Sequence, residues 1–223
     1  MIYIAPSLLS ADFANLESEI KRIAEAGANY LHLDVMDGAF VPNMSFGAGL
    51  IADIRPHSKL IFDVHLMIND PIRYVGDFVK AGADIITFHL ESCTDPDLVI
   101  REIRKKEVRV GLAISPATPV EQIIPYLPKI DMALIMTVVP GFGGQALIPE
   151  TLEKVRTVRR YALSQGLKLD VEVDGGLKPE NVGLATSAGA NIIVAGSSVF
   201  GAKRPRAAIE AMREEADKNP YRS

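Results

Sequence analysis

Short apolar runs alternate along this chain with segments of helical periodicity. Three of the apolar runs follow nearly the same four residues, Ala-Gly-Ala-Asn or Ala-Gly-Ala-Asp, at 26–29, 81–84 and 188–191. A glycine just past a helix readily takes the left-handed conformation that ends the helix, and short runs rich in β-branched residues are typical of strands. The pattern therefore predicts a repeated unit of helix, glycine and strand.

The spacing of these repeats sets the number of units. Gly27, Gly82 and Gly189 stand 55 and 107 residues apart, a ratio of about one to two. The underlying unit is therefore about 54 residues long or about half of that. One strand, one helix and two loops fill roughly 27 residues, so the 223 residues hold about eight units.

Eight apolar runs fit this number. They are Ile4–Leu9, Tyr30–Leu33, Leu60–Leu66, Ile85–Phe88, Val108–Ile114, Met132–Val138, Leu169–Val173 and Ile192–Ala195. Between them, Asp12 is expected to cap a helix that runs from Leu16 to Ile23, and Pro149 and Glu150 are expected to open another. Alternating strands and helices predict a parallel sheet, and eight units predict an α/β fold closed into a (β/α)8 TIM barrel.

The alternative architecture is an open doubly wound sheet. The dinucleotide-binding motif of that fold, Gly-x-Gly-x-x-Gly after the first strand, is absent from the sequence, and the Gly-Phe-Gly-Gly at 141–144 does not supply it. No change of composition marks a linker. We therefore expect a single barrel domain over residues 1–223.

Composition and charge narrow the choice of partners. With 48% apolar residues the chain is expected to fold, and its net charge of −4 lacks the basic excess that nucleic-acid backbones require. Charged residues interrupt every apolar run, so no membrane span is expected. The single Cys93 excludes disulfides within the chain, and the start carries no secretory signal. We expect a cytoplasmic homo-oligomer that binds neither nucleic acid nor membrane.

Polar side chains close several of the predicted strands, at the end where barrel enzymes carry out their chemistry. His32 and Asp34 point to the same side of the second strand, because side chains alternate along a strand. His65 closes the third strand and Asp174 the seventh, and a barrel brings these ends together. Taken alone, each histidine is explained equally well as a hydrogen-bonded structural residue, and each aspartate as the cap of the following helix. Together, two histidines and two carboxylates suit zinc, iron or manganese.

The other two histidines stand in different contexts. His89 closes the fourth strand, and its sequence position fits a structural role and a site role equally. His57 lies between Pro56 and Ser58 in a polar segment and is expected to be a solvated loop residue.

Glycine-rich turns follow the last three predicted strands. Backbone N–H groups of such turns can approach an anion closely, and in this fold the late loops commonly hold a phosphate. Each glycine-rich turn alone is explained more simply as a tight turn without a ligand. Three such turns after adjacent strands favour a phosphorylated substrate. The turn residues are Gly141, Phe142, Gly143, Gly144, Gly175, Gly176, Gly196 and Ser197.

These motifs carry a family resemblance over nearly the whole chain. They are Ala5-Pro6-Ser7, His32-x-Asp34-x-Met36-Asp37-Gly38, Phe40-Val41-Pro42-Asn43, His65-Leu66-Met67, Met136-Thr137, Pro140-Gly141-Phe142-Gly143-Gly144-Gln145, Glu172-Val173-Asp174-Gly175-Gly176 and Gly196-Ser197. In this order and spacing they resemble the ribulose-phosphate 3-epimerase family. The resemblance implies a barrel of the ribulose-phosphate-binding type that interconverts D-ribulose 5-phosphate and D-xylulose 5-phosphate in the pentose phosphate pathway.

The resemblance also implies roles for individual residues. His32, Asp34, His65 and Asp174 would hold one divalent metal ion, and Asp34 and Asp174 would also exchange protons with the substrate. Ser7, His65 and the residues of the three glycine turns would contact the phosphorylated ketose. Two positions depart from the family pattern, which often has His in place of Ala39 and Asn in place of Val139. These departures put lid contacts and sugar preference in doubt.

Three other functions are weighed against this one. The first is an epimerase of the same kind that acts on a six-carbon substrate such as D-allulose 6-phosphate. The second is orotidine-phosphate decarboxylase, which carries an Asp-x-Lys-x-x-Asp motif. This function is disfavoured because the matching stretch, 32–37, has no lysine. The third is a sugar-phosphate-binding barrel without catalysis, which would need the phosphate turns but neither the carboxylates nor the metal ligands.

Overall fold

Eight parallel strands form one sheet in the computed structural model, which describes residues 2–221. The strands are β1 (Tyr3–Pro6), β2 (Tyr30–Met36), β3 (Ile61–Met67), β4 (Ile85–His89), β5 (Arg109–Ile114), β6 (Met132–Met136), β7 (Asp170–Asp174) and β8 (Ile192–Ala195). All eight predicted strands are confirmed. The order β1-β8-β7-β6-β5-β4-β3-β2 is that of a (β/α)8 barrel, which confirms the predicted fold.

Helices occupy most of the connections between strands. They are α1 (Leu16–Glu25), α2 (Ala48–Ile54), α3 (Val75–Lys80), α4 (Pro96–Arg104), α5 (Leu152–Ser164), α6 (Val182–Ala188), α7 (Ser197–Phe200) and α8 (Pro205–Lys218). The connection from β5 to β6 holds two 3-10 segments instead, Val120–Gln122 and Ile124–Lys129. Pro125 and Pro128 lack the N–H that an α-helix would use there, which accounts for the difference.

The predicted helix boundaries are confirmed at the C-terminal ends and corrected at one N-terminal end. Gly27, Gly82 and Gly189 follow α1, α3 and α6 with positive φ values of 98°, 97° and 116°, as the repeated motif predicts. The prediction that Asp12 caps the helix beginning near Leu16 is wrong. The Asp12 carboxylate accepts from the N–H of Ala14 and caps a separate 3-10 turn that precedes α1.

The interior of the barrel changes from apolar to charged along its axis. One apolar cluster inside the barrel contains Ala5, Tyr30, Ile85, Met132, Ile192 and Val194. Two residues further along β2, β3 and β7, the alternation of side chains places His32, Asp63 and Glu172 inside, all fully buried. Gly111 of β5 leaves room for Thr87, since a Cβ there would lie 2.1 Å from the Thr87 hydroxyl oxygen.

The barrel closes between β1 and β2. Ser7 and His32 form a parallel bridge across this seam. At the other end of the seam, the Asn29 N–H donates to the Ile4 carbonyl at 3.0 Å, and the Asn29 side-chain oxygen accepts from the Ile4 N–H at 3.1 Å. The closure therefore passes through two of the predicted site residues. Within residues 2–221, no helix has the length and apolar character needed to cross a bilayer.

Candidate active site

Four side chains converge at the carboxyl end of the barrel. The strand pairing places Asp34 of β2 directly opposite His65 of β3, and β7 adds Asp174. One potential ligand atom from each of His32, Asp34, His65 and Asp174 lies within 4.8 Å of the other three. These are the four residues predicted as metal ligands, and the fold brings all of them together. Their role toward an ion stays a prediction.

The spacing of the four atoms fits a cation. Oδ1 of Asp34 lies 3.2 Å from Nε2 of His32 and 3.0 Å from Nδ1 of His65, and the two histidine nitrogens are 3.3 Å apart. Bonds of 2.0–2.1 Å in a tetrahedron leave about 3.3 Å between neighbouring ligand atoms. Oδ2 of Asp174 is 3.9 Å from Nε2 of His32. The donor set suits zinc, iron or manganese.

His32 is oriented by a carboxylate that lies deeper in the barrel. Its Nδ1 lies 2.6 Å from Oδ2 of Asp63, and Oδ1 of Asp63 accepts from the Thr87 hydroxyl at 3.0 Å. A histidine that donates Nδ1–H to a carboxylate presents its Nε2 lone pair to an ion. Asp63 is not among the site residues predicted from the sequence. Its position two residues before His65 on the same strand was the available signal.

Glu172 adds a second buried carboxyl group beneath the four ligands. Its Oε1 lies 3.7 Å from Nδ1 of His32, and neither oxygen makes a hydrogen bond to any other residue of the described range. Burial, and then the charge of Asp63, raise the pKa of Glu172 well above its usual value. Burial therefore favours the neutral, protonated form of this side chain, which limits the negative charge inside the barrel.

His65 has a chain of partners on its other side. Its Nε2 lies 2.9 Å from Nε2 of His89, whose Nδ1 lies 3.2 Å from Oε2 of Glu91. His89 is fully buried and lies outside the four converging ligands. Its place is therefore behind a predicted ligand, and the sequence offered no signal for Glu91 beyond its closeness to His89.

The pKa values of the two aspartates at the mouth are shifted in opposite directions. Burial alone would raise the pKa of Asp34, but the nearby His32 and His65 lower it far below its usual value. Burial and the charge of Asp34 raise the pKa of Asp174. Environments that push two carboxyl pKa values apart supply one carboxylate base and one carboxylic acid. The pair can therefore move protons in both directions.

Ser7 is positioned by the seam between β1 and β2. Its hydroxyl donates to Oδ2 of Asp34 at 2.5 Å, which leaves Oδ1 facing the two histidines. Ser7 also lines the cavity above the ligands. Its predicted contact with substrate stays a prediction, and so does that of His65, whose ring is fully buried and faces the ligand cluster.

A cavity of about 650 Å³ opens above the four ligands. This volume lies within the range of small-molecule sites. Asp34 and Asp174 contribute to its floor, and three buried methionines, Met36, Met67 and Met136, contribute apolar surface. The remaining wall includes every residue of the three predicted glycine turns, Gly141, Phe142, Gly143, Gly144, Gly175, Gly176, Gly196 and Ser197.

The glycines of this wall are needed for different reasons. A Cβ at Gly176, which has a φ of +70°, would lie 2.2 Å from the backbone nitrogen of Leu147. A Cβ at Gly196 would lie 2.5 Å from the Ser10 hydroxyl oxygen. The protein itself therefore requires these two glycines. A Cβ at Gly143 would meet nothing within 4 Å, so this turn is open toward the cavity.

The rim is made of the loops after β2 and β6. The Asn43 side-chain amide donates to the Gly141 carbonyl at 2.8 Å and joins the two loops. Ala39 and Val139, the two departures from the family pattern, lie in these loops, and Val139 is 61% exposed. Phe40 of the same rim packs its ring 4.9 Å from that of His89.

His57 lies outside the cluster. It ends a 3-10 turn, Arg55–His57, where a polar loop was predicted. Its ring is 45% exposed and its Nδ1 lies 3.2 Å from a Glu17 carboxylate oxygen. The prediction of a solvent-facing residue is confirmed.

Comparison with known proteins identifies relatives over the whole length. A model of the ribulose-phosphate 3 epimerase family matches residues 3–200. Ribulose-phosphate 3-epimerase, cytoplasmic isoform, from Oryza sativa subsp. japonica is 47% identical over 224 residues, which cover 99% of this chain and 96% of the relative. Ribulose-phosphate 3-epimerase from Synechocystis sp. is 48% identical over 221 residues, with 98% and 96% covered.

Solved structures agree on the architecture. The 3-hexulose-6-phosphate synthase from Salmonella typhimurium matches with a TM-score of 0.70 and covers 98% of this chain and 100% of its own. Its sequence is 17% identical, so the likeness concerns the fold alone.

Replacing His65 tests whether this residue is a metal ligand. His65→Ala removes one of the four converging donors. We expect it to raise the zinc Kd by more than about 100-fold, which exceeds the usual effect of removing a residue that only hydrogen-bonds to a ligand. His57→Ala, on the exposed 3-10 turn, is the control and should leave the Kd unchanged. Zinc competition with a coloured chelator measures both. Equal effects of the two substitutions would refute the ligand assignment.

Proposed function

Because the chain belongs to the ribulose-phosphate 3-epimerase family, we propose that it interconverts D-ribulose 5-phosphate and D-xylulose 5-phosphate in a metal-dependent reaction of the pentose phosphate pathway. The convergence of two histidines and two aspartates beneath a cavity with glycine-rich turns carries this proposal. The donors supply a site for a cation, and the turns supply backbone N–H groups for a phosphate.

The reaction needs two proton-transfer groups. Inverting C3 of a 2-ketose removes a proton next to the carbonyl, gives an enediolate, and returns a proton to the opposite face. Asp34 and Asp174 lie on different strands, β2 and β7, and both line the cavity. In one direction Asp34 takes the C3 proton while Asp174 donates, and in the other the roles reverse. Ser7 keeps Asp34 oriented through its hydrogen bond to Oδ2.

The histidines serve the ion and not the proton transfer. His32 and His65 are fully buried beneath the aspartates and would hold the ion with Asp34 and Asp174. A divalent ion in this position supplies a Lewis acid that stabilises the negative charge developing on the ketose oxygens. Asp63 and His89 keep the two rings in place.

The phosphate is proposed to bind at the turns after β6, β7 and β8. Among the cavity-lining residues within 2–221, Lys178 carries the one cationic side chain, so backbone N–H groups supply most of the binding. The methionines Met36, Met67 and Met136 would pack beside the sugar carbons. The cavity volume admits five- and six-carbon ketoses alike, so size alone does not select the substrate.

The setting of the enzyme is part of the proposal. The rice relative is named as a cytoplasmic isoform, which supports a cytoplasmic location here. We propose one barrel domain over residues 1–223 that assembles into a homo-oligomer. Two carboxyl groups that line the cavity, with pKa values shifted in opposite directions, favour catalysis over the alternative of a sugar-phosphate-binding barrel, which needs neither.

Comparing two substrates tests the proposed reaction. We expect kcat/KM for D-ribulose 5-phosphate to exceed that for D-allulose 6-phosphate by at least about tenfold, the usual discrimination for one extra carbon in a pocket. A coupled assay for each ketose measures this. A preference for the six-carbon ketose would show that D-ribulose 5-phosphate is the wrong substrate. If zinc-loaded protein turned over neither ketose, the alternative of a sugar-phosphate-binding barrel without catalysis would be favoured.

Solvent deuterium tests the two-aspartate mechanism. The incoming proton comes from a different group than the one that removed the first, so product formed in D₂O should carry deuterium at C3 from its first turnover. Asp174→Asn should lower kcat at least about 100-fold, the usual contribution of a general acid or base. Mass spectrometry of the product and steady-state rates provide the two readouts.

The Asn variant needs a metal measurement beside it, since Asp174 is also a proposed ligand. Only protein with near-stoichiometric metal is informative. If metal-loaded Asp174→Asn epimerises at near the parent rate, Asp174 is only a ligand and the two-aspartate mechanism is wrong. Substantial transfer of substrate hydrogen into product would indicate one shared base.

Gly143 offers a clean test of the phosphate turns. Gly143→Ala adds a methyl group into open space toward the cavity, so we expect KM to rise about tenfold, the loss of roughly one hydrogen bond, with kcat and bound zinc unchanged. Gly49→Ala is the control, because a Cβ at that exposed helical position also meets nothing within 4 Å. An unchanged KM for Gly143→Ala would place the phosphate elsewhere.

A further inference from the structure

The partners of His65 form a line that leads away from the proposed metal site. His65 Nε2 faces His89 Nε2 at 2.9 Å, and the two rings are within 26° of coplanar, which suits a hydrogen bond in the ring plane. His89 Nδ1 faces Glu91 Oε2 at 3.2 Å. Both rings are fully buried. The hydrogen bond between the two rings is therefore shielded from water, whereas Glu91 at the outer end is partly exposed.

The direction of these hydrogen bonds is set at the outer end. Two N–H groups cannot face each other at 2.9 Å, so only one of the two Nε2 atoms carries the shared proton. Glu91 is ionised, because His89 and Thr118 lower its pKa to about 2 against the effect of burial, which would raise it. An ionised carboxylate only accepts. His89 therefore donates Nδ1–H to Glu91, accepts at Nε2 from His65, and leaves the His65 Nδ1 lone pair facing the site.

We propose that Glu91 is a positioning residue for the metal ion: through His89 it keeps the proton of His65 on Nε2 and presents the Nδ1 lone pair as a ligand. This inference rests on the proposed metal-dependent function. The two histidine ligands are then set by different means. His32 binds through Nε2 and receives its orientation directly from Asp63, whereas His65 binds through Nδ1 and needs a second ring between itself and the carboxylate.

Glu91 is itself held in one orientation. Its Oε1 accepts from the Ser115 N–H at 2.8 Å and from the Thr118 hydroxyl, so that Oε2 is the oxygen that meets His89. Lys154 of α5 braces this loop by donating to the carbonyls of Ser115, Pro116 and Thr118 at 3.1, 2.7 and 2.6 Å. The line thus ends on a partly exposed carboxylate that three hydrogen-bond partners hold in one orientation.

Glu91→Gln tests the inference with little change of shape. The Ser115 N–H requires an oxygen at the Oε1 position, so the glutamine amide group turns its N–H toward His89 Nδ1 and favours the opposite direction of both hydrogen bonds. We expect the zinc Kd to rise about 10- to 100-fold, the usual cost of losing an outer partner of a histidine ligand. Glu121→Gln is the control. Glu121 is exposed and makes no hydrogen bond to the residues of the line, so Glu121→Gln should leave the Kd unchanged.

A measurement on the parent protein keeps the test independent of whether the variant folds. Nitrogen-15 NMR of the zinc-loaded, histidine-labelled full chain should place the His89 proton on Nδ1 and the His65 proton on Nε2. A proton on Nε2 of His89 would overturn the inference, and so would equal zinc affinity of the parent and Glu91→Gln. Failure of the parent to bind zinc would instead overturn the proposed metal site and, with it, this inference.

Discussion

Charge buried inside a barrel is the constraint on which the rest of this structure depends. The carboxyl end encloses seven ionisable side chains, which are His32, Asp34, Asp63, His65, His89, Glu172 and Asp174. Unpaired charges there would cost several kcal/mol each. The structure lowers that cost by pairing Asp63 with His32 and by burying Glu172 where its neutral form is favoured, while Asp34 faces the point where the cation is proposed to bind. What remains is a group of lone pairs and carboxylate oxygens that face one point.

The same arrangement separates the residues that would hold the cation from the residues that line the cavity. The inner charged layer holds the ligands still, because each histidine has a partner behind it, Asp63 in one case and His89 in the other. Above it, the cavity brings the two aspartates against a wall of glycine turns. On the proposed function, binding energy from the phosphate would orient the sugar over groups that are already in position. The fold supplies both layers through strand alternation alone, since residues two apart on β2, β3 and β7 fill successive levels.

The sequence was sufficient for the strands and for the four converging ligands, because alternation along a strand and the meeting of strand ends are properties of the fold. It was insufficient for Asp63, Glu172 and Glu91. Their contacts join elements far apart in the chain and depend on rotamers that no periodicity encodes. For the two 3-10 segments between β5 and β6, the prolines in the sequence are the available signal. The 3-10 turn at Asp12 has no such signal, since an aspartate caps either kind of turn.

Metal removal tests the central claim most directly. Protein stripped of divalent ions by a chelator, with the residual metal measured, is assayed for epimerisation of D-ribulose 5-phosphate. The account predicts loss of turnover and its return when one equivalent of zinc, iron(II) or manganese is added, because it assigns the stabilisation of the enediolate oxygens to the ion that the four converging side chains would hold. Full activity in protein with no detectable metal would contradict it.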